Sequence, residues 1–298
     1  MPKELDVLNK LFTSRDSKDI IKFYDHFDNA ESLINWAKNR PSAAMKIYEV
    51  EGNRDIVIVI PTADHNSKLA KNCAENIFKG QQIIFIESYG PFFNYARSCN
   101  FGLKYALKYN PKWIVLSNDD MYKIDDISVL KDELLSLDSE KLDLTFSPIN
   151  YKSYLVKETL FSRMLSNLSF YHRNVNFIKK KFGISYRPFD GRRNLALRVL
   201  YKKIYKFYIT GPFTIFSSKF IQSINKPFDE IYINDVEDID LCLRIMKRNK
   251  FTNISFKIGS IGGRSLGTNK SLRGMRTIFD QIYLDYKIKN KTIFNYKP

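Results

Sequence analysis

The sequence predicts an α/β fold: a mostly parallel sheet flanked by helices, with a helical N-terminal extension and a basic helical insert. Three observations lead there. Short apolar runs rich in Ile and Val, such as Ile56–Ile60, read as buried strands. Between them lie segments whose apolar residues recur at i, i+3, i+4 and i+7, the spacing of one helix face. The connections are short, which suits right-handed strand–helix–strand crossovers.

The elements follow in order. In residues 1–54, Asp16-Ser17 can cap a helix carrying Ile20, Phe23, Tyr24 and Phe27, and Ala30-Glu31 opens another that runs to Pro41. Ile56–Ile60 is the first strand, ended by Pro61-Thr62. Leu69, Cys73 and Ile77 give a helical stripe closed by Gly80. Ile83–Ile86 is the second strand, Phe92–Tyr109 a helix, and Trp113–Leu116 the third strand. Ile127, Leu130, Leu134 and Leu137 mark a helix, and Leu142–Phe146 a fourth strand. A basic insert, 151–206, interrupts the pattern. The sheet resumes at Phe207–Phe216, and Asp238–Asn249 forms a helix. The expected division is an extension over 1–54, a main domain over 55–268 that contains the insert, and a C-terminal helical tail over 269–298.

Composition narrows the class. The chain has 298 residues, 44% hydrophobic and 27% charged, which suits a folded protein with a sizeable core. No apolar run approaches the length of a membrane span, and Met1-Pro2-Lys3-Glu4 does not open a signal segment. Cys73, Cys99 and Cys242 lack metal-binding spacing and fall in helical patterns, where buried thiols in a reducing, cytoplasmic setting are expected. The net charge is +16. Residues 151–206 contain fourteen Lys and Arg against Glu158 and Asp190 alone. Such a surface attracts polyanions.

Two acidic constellations carry the chemistry. Ser117-Asn118-Asp119-Asp120 directly follows a buried strand, and ligands of open α/β sheets bind at strand carboxyl ends. Adjacent carboxylates repel unless a cation or donors intervene, and a hard divalent ion completed by substrate phosphates is the simplest resolution. The bland alternative is a capped turn. Glu237-Asp238-Ile239-Asp240 opens a helix closed by Lys247, Arg248 and Lys250, a distribution that the helix dipole alone would favour.

In this order, on this pattern, the segments resemble the family 2 glycosyltransferases of the GT-A fold, which transfer a sugar from a nucleotide-sugar with inversion. The resemblance covers about residues 55–150 and 207–268. Ile58-Val59-Ile60-Pro61-Thr62 is similar to that family's first strand and nucleotide-pocket turn. Ile84-Phe85-Ile86-Glu87-Ser88 is similar to its second strand, with Glu87 where an aspartate commonly faces the base. Arg97-Ser98-Cys99-Asn100-Phe101-Gly102 matches the helix with the Asn-x-Gly pair. Asn118-Asp119-Asp120 resembles the metal-binding DXD element, and Glu237-Asp238-Ile239-Asp240-Leu241-Cys242-Leu243-Arg244 the acceptor-side helix.

The resemblance implies a GT-A type, Rossmann-like domain and a hexosyltransferase-type enzyme. It implies Asp120 as ligand to Mg²⁺ or Mn²⁺, Asp238 as general base with Glu237 beside it, and Pro61, Thr62, Glu87, Arg97, Asn100, Asn118 and Asp119 as nucleotide-sugar contacts. The donor would be a UDP-, GDP- or dTDP-sugar, and the acceptor a glycan or lipid-linked saccharide. One departure stands out. Gly259-Ser260-Ile261-Gly262-Gly263 puts Ser260 where many relatives carry a metal-binding histidine, and Arg264 could then share the diphosphate charge.

Apolar residues interleave with the cations of 151–206, the composition of an amphipathic helix pair that docks on an anionic membrane at its cytoplasmic face; the bland alternative is a solvated cationic face covering the sheet. Nucleic acid is disfavoured, because no recognition motif accompanies the charge. The alternatives are a non-enzymatic nucleic-acid-binding or membrane-surface protein of GT-A-like fold, and a sugar-nucleotide pyrophosphorylase. The latter would need a glycine-rich loop that Pro61-Thr62-Ala63-Asp64-His65-Asn66 lacks. His65 reads as a solvent-exposed loop residue.

Overall fold

The computed structural model describes residues 2–157, 173–190, 202–209, 211–245, 250–262 and 270–293. Three helices come first: α1 (Pro2–Thr13), α2 (Ser17–Asp25) and α3 (Ala30–Asn39). Asp16 and Asn29 cap the second and third by accepting the N–H groups of Lys18 and Ser32. Strand β1 (Lys46–Val50) then leads to β2 (Asn53–Thr62) and α4 (Lys68–Asn72), which continues as a π turn over Cys73–Ile77. β3 (Gln81–Glu87), α5 (Tyr95–Ala106), β4 (Trp113–Ser117), β5 (Met121–Lys123), α6 (Ile127–Ser136) and β6 (Leu144–Phe146) follow.

The insert differs from expectation. Among its described residues it is not wholly helical: it contributes β7 (Tyr151–Lys157), the helix α7 (Arg173–Lys181), β8 (Tyr186–Asp190) and β9 (Lys202–Ile209). The strands form a separate antiparallel sheet in the order β8-β7-β9. Tyr, Ile and Phe dominate β9, and such residues favour a pleated surface over a helix. Pro188 lies in β8, an edge strand, where its missing N–H is tolerated. Residues 158–172 and 191–201 of the insert lie outside the described residues.

The chain continues through β10 (Phe213–Ser217), α8 (Ser218–Ser223), α9 (Glu237–Ile245), β11 (Phe251–Asn253), β12 (Ile258–Ser260) and α10 (Lys270–Lys289). The main sheet has seven strands in the order β1-β3-β2-β4-β10-β6-β11, flanked by helices. It is mixed, not mostly parallel. β3, β2 and β4 run parallel, as do β6 and β11, but β1, and β10 against both its neighbours, pair antiparallel. The reversal at β10 has a topological cause: the insert returns the chain to the carboxyl end of β4, so Phe213 opposes Ser117 and the strand must run back.

Period-2 alternation divides the strands between two cores. Ile56, Ile58 and Ile60 face Cys73, Ile77 and Phe78, while Val57 and Val59 face Cys99 and Leu103 of α5. α5 packs so closely that a Cβ on Gly102 would lie 2.4 Å from Val59 Cγ1. A third core joins the two ends of the chain: Phe12, Phe23 and Trp36 pack with Met275, Phe279 and Tyr283 of α10. Among the described residues, no helix is long and apolar enough to cross a membrane.

Candidate active site

A cleft of about 850 Å³ opens at the carboxyl ends of β2 and β4 and is closed by the start of α9. Pro61, Thr62, Asn118, Asp119, Asp120, Glu237 and Asp238 all line it, although 57 residues separate Thr62 from Asp119 along the chain. Each is held by its neighbours. Thr62 Oγ1 donates to Asp119 Oδ2 at 2.7 Å, and Tyr95 OH donates to Asn118 Oδ1 at 2.7 Å. The Asn118 N–H donates to Pro212 O at 2.9 Å, tying β4 to the returning chain.

β12 pairs antiparallel with β5, placing Ser260 against Met121, and Ser260 Oγ lies 3.5 Å from Asp120 Oδ1. The Ile261 N–H donates to Asp120 O at 2.9 Å. Gly259 sits under the ring of Tyr122, where a Cβ would come within 2.0 Å of it. Ser260 is thus brought beside the acidic pair, whereas Arg264 lies outside the described residues.

The acids are electrostatically loaded. Asp119, Asp120 and Glu237 are buried, and Asp119 Oδ1, Asp120 Oδ2 and Glu237 Oε2 have no hydrogen-bond partner among the described residues. Burial pushes the Asp119 carboxyl up, partly offset by Thr62 and reinforced by the charge of Asp120. Burial pushes Glu237 well above the usual carboxylate range, and neighbouring Asp238 adds to it. Asp238 is also raised by burial, but its oxygens accept N–H groups from Gly211 at 3.0 Å and Ile239 at 2.8 Å. Burial and Asp119 push the Cys73 thiol up to about 12, so it stays protonated.

The loop leading to α9 is clamped from three elements that no sequence motif marks. Arg40 donates to the carbonyls of Ile231 at 2.7 Å and Tyr232 at 2.8 Å. Asn94 donates to Glu230 O at 2.7 Å and Tyr232 O at 2.9 Å. Buried Asp280 on α10 accepts the N–H groups of Ile233 and Asn234. Held in this way, Val236 adopts φ = 72°, a left-handed conformation costly for a β-branched residue, immediately before Glu237. Arg273, also on α10, lines the cleft and forms no ion pair among the described residues; its charge tempers Asp235. A cation there could be found only from the fold, because α10 is remote in sequence from both acidic segments.

Three expected nucleotide-sugar contacts lie elsewhere. Arg97 donates to Ala43 O at 3.2 Å and lines a different cavity. Asn100 is buried and exchanges hydrogen bonds with the Phe228 backbone, which makes it an anchor for the chain entering the 229–236 loop. Glu87 accepts from His65 Nδ1 at 2.6 Å, and that contact holds its carboxyl below the usual range. His65 is therefore not a free loop residue: it is half-buried and stacks on Tyr48 with ring centroids 3.5 Å apart. Asp64, His65 and Glu87 put potential ligand atoms within 4.8 Å of one another, but the His65–Glu87 bond accounts for that pair without an ion.

No protein-family model matches the chain, and no curated protein matches it at a significant level.

Proposed function

We propose that the chain is an inverting glycosyltransferase of GT-A type, moving a sugar from a nucleotide-sugar to a hydroxyl of a glycan or lipid-linked acceptor. One observation carries this reading: Asn118-Asp119-Asp120 and Glu237-Asp238 converge in one cleft at the strand ends, with three buried carboxylate oxygens lacking partners.

Those orphaned oxygens fit a hard divalent ion, Mg²⁺ or Mn²⁺, which Asp120 would hold with Asp119 beside it. When bound, it supplies positive charge to the donor's diphosphate. Thr62 and Pro61 bracket the nucleotide, and Arg273 adds a fixed cation for the charge that builds on the leaving diphosphate. Asp238 is the base: it takes the acceptor hydroxyl proton as that oxygen attacks the sugar carbon, while the bond to the diphosphate breaks. Asp238 suits this role better than Glu237, because it is only partly buried and two backbone amides orient it. Glu237 is buried near Tyr95 and Cys99 of α5.

A panel of UDP-, GDP- and dTDP-sugars, each incubated with Mn²⁺, tests the proposal through release of the nucleoside diphosphate. One donor should be hydrolysed, and the same nucleoside diphosphate should raise the melting temperature only with metal. Stabilisation by an oligonucleotide, with none by any nucleoside diphosphate, would favour the non-enzymatic alternative. Vesicles of anionic lipid, compared with neutral ones, test whether 151–206 brings the protein to a membrane surface.

A further inference from the structure

Behind the clamped loop lies a second cavity, of about 600 Å³, within the range of small-molecule sites. The end of α3, the start of α5 and the chain at 225–231 wall it. Lys38, Arg40, Arg97, Lys226, Arg244 and Lys287 line it, whereas its acids are Asp229 and Glu230 alone. Buried Asp240, behind the wall, neutralises part of this charge through Arg244 Nε at 2.6 Å and Lys287 Nζ at 2.6 Å. The cations still outnumber the carboxylates about them by three.

The remaining cations are available to a ligand in different degrees. Arg40 is engaged by backbone carbonyls. Lys226 pairs with Glu230 at 2.8 Å in an exposed position, a weak contact that an anion can replace. The Arg97 guanidinium has five N–H groups and donates to protein only at Ala43 O among the described residues. Lys38 is exposed and forms no ion pair among the described residues.

We propose that this cavity is a second ligand site, taking a small phosphorylated anion between the Arg97 guanidinium and the ammonium groups of Lys38 and Lys226. A guanidinium matches two phosphate oxygens at once, and flanking lysines add point charge. The site is separate from the cleft and does not depend on what the cleft does. Through Arg40 and Asn94 it shares the loop that leads to Glu237.

Inorganic pyrophosphate is the probe, titrated calorimetrically into the full chain in the presence of EDTA, so that binding through a divalent ion is removed. Wild type and Asp120→Asn should bind one equivalent saturably. Arg97→Gln should bind roughly ten- to a hundredfold more weakly, as expected for loss of a charged hydrogen-bonding partner. If Arg97→Gln does not fold by circular dichroism, the exposed double substitution Lys38→Gln/Lys226→Gln gives the same reading. Absence of saturable binding, unchanged affinity in these variants, or loss of binding in Asp120→Asn would each overturn the proposal. Non-saturating uptake would instead assign the anion to the basic segment and would equally overturn it.

Discussion

Asp238 accepts one amide N–H on each carboxylate oxygen and still faces the cleft, and asparagine keeps one of those two acceptors. Asp238→Asn should therefore keep nucleoside-diphosphate binding while turnover falls about 10²–10⁴-fold, the usual contribution of a general base. Equal loss of binding and turnover would remove Asp238 from that role. Glu237 makes a different prediction. A carboxyl raised in the folded state contributes its full stability below the unfolded value, and that contribution is lost as pH rises through the folded pKa. Glu237→Gln removes the buried charge, so it should unfold later than wild type at pH 8, by about 0.5–2 kcal/mol. The difference should shrink towards pH 4, and urea melts at the two pH values would measure it. At Ser260 the expected change is a gain. Ser260→His places an imidazole beside Asp120, and Mn²⁺ titration of the protein alone should show tighter binding.

At the level of elements, α9 has two halves with separate duties. Its first turn presents Glu237 and Asp238 to the cleft, whereas Asp240 and Arg244 turn inward as a buried pair. Lys287 of α10 and the Tyr232 hydroxyl complete that network, at 2.6 Å and 3.1 Å from Asp240 Oδ1. The Asp–Arg part of the segment that resembles an acceptor-side helix is thus structural in this chain. Arg244→Ala strands a buried carboxylate with a single cation and should cost about 3–5 kcal/mol in denaturant unfolding. A surface contact to an acceptor would lose under 1 kcal/mol or so on the same substitution. Gly102 likewise has a packing reason, because α5 lies against β2 with no room for a methyl group.

Across the whole molecule, the first and last helices form one structure with the loop between cleft and second cavity. Tyr24 OH donates to Met275 O at 2.9 Å, Arg276 Nε donates to Phe12 O at 2.9 Å, and Arg40 reaches the loop from α3. Trp36 is at the centre of the aromatic cluster with Phe12 and Phe23 and is only 4% exposed. Trp36→Ala should lower stability by about 3–5 kcal/mol, read from the urea midpoint. Because this core carries the clamp on residues 229–236, hydrogen exchange in that loop should rise with it.

Local pattern was enough, from the sequence by itself, to place β2, β3, β4, β6 and β10 of the main sheet and the acids that follow β4 and open α9, but not β1, which lies in the stretch read as a helical extension, or the short β11. Apolar periodicity is a property of neighbouring residues and survives without knowledge of the fold. Pairing direction was decided only in the tertiary structure: β10 runs antiparallel because the insert returns the chain at the cleft end, and nothing within Phe213–Ser217 encodes that. The insert's strands were hidden because Lys mixed with aromatic and aliphatic residues without strict alternation serves an amphipathic helix or a sheet edge equally well. The removal of Arg97 and Asn100 from the cleft, and the arrival of Arg273 and Asp280, were also tertiary outcomes. Burial and charge pairing act between segments far apart in sequence, so which carboxylate oxygens end as orphans, as at Asp119, Asp120 and Glu237, and which are satisfied, as at Asp280, was fixed only by the packing of those segments together.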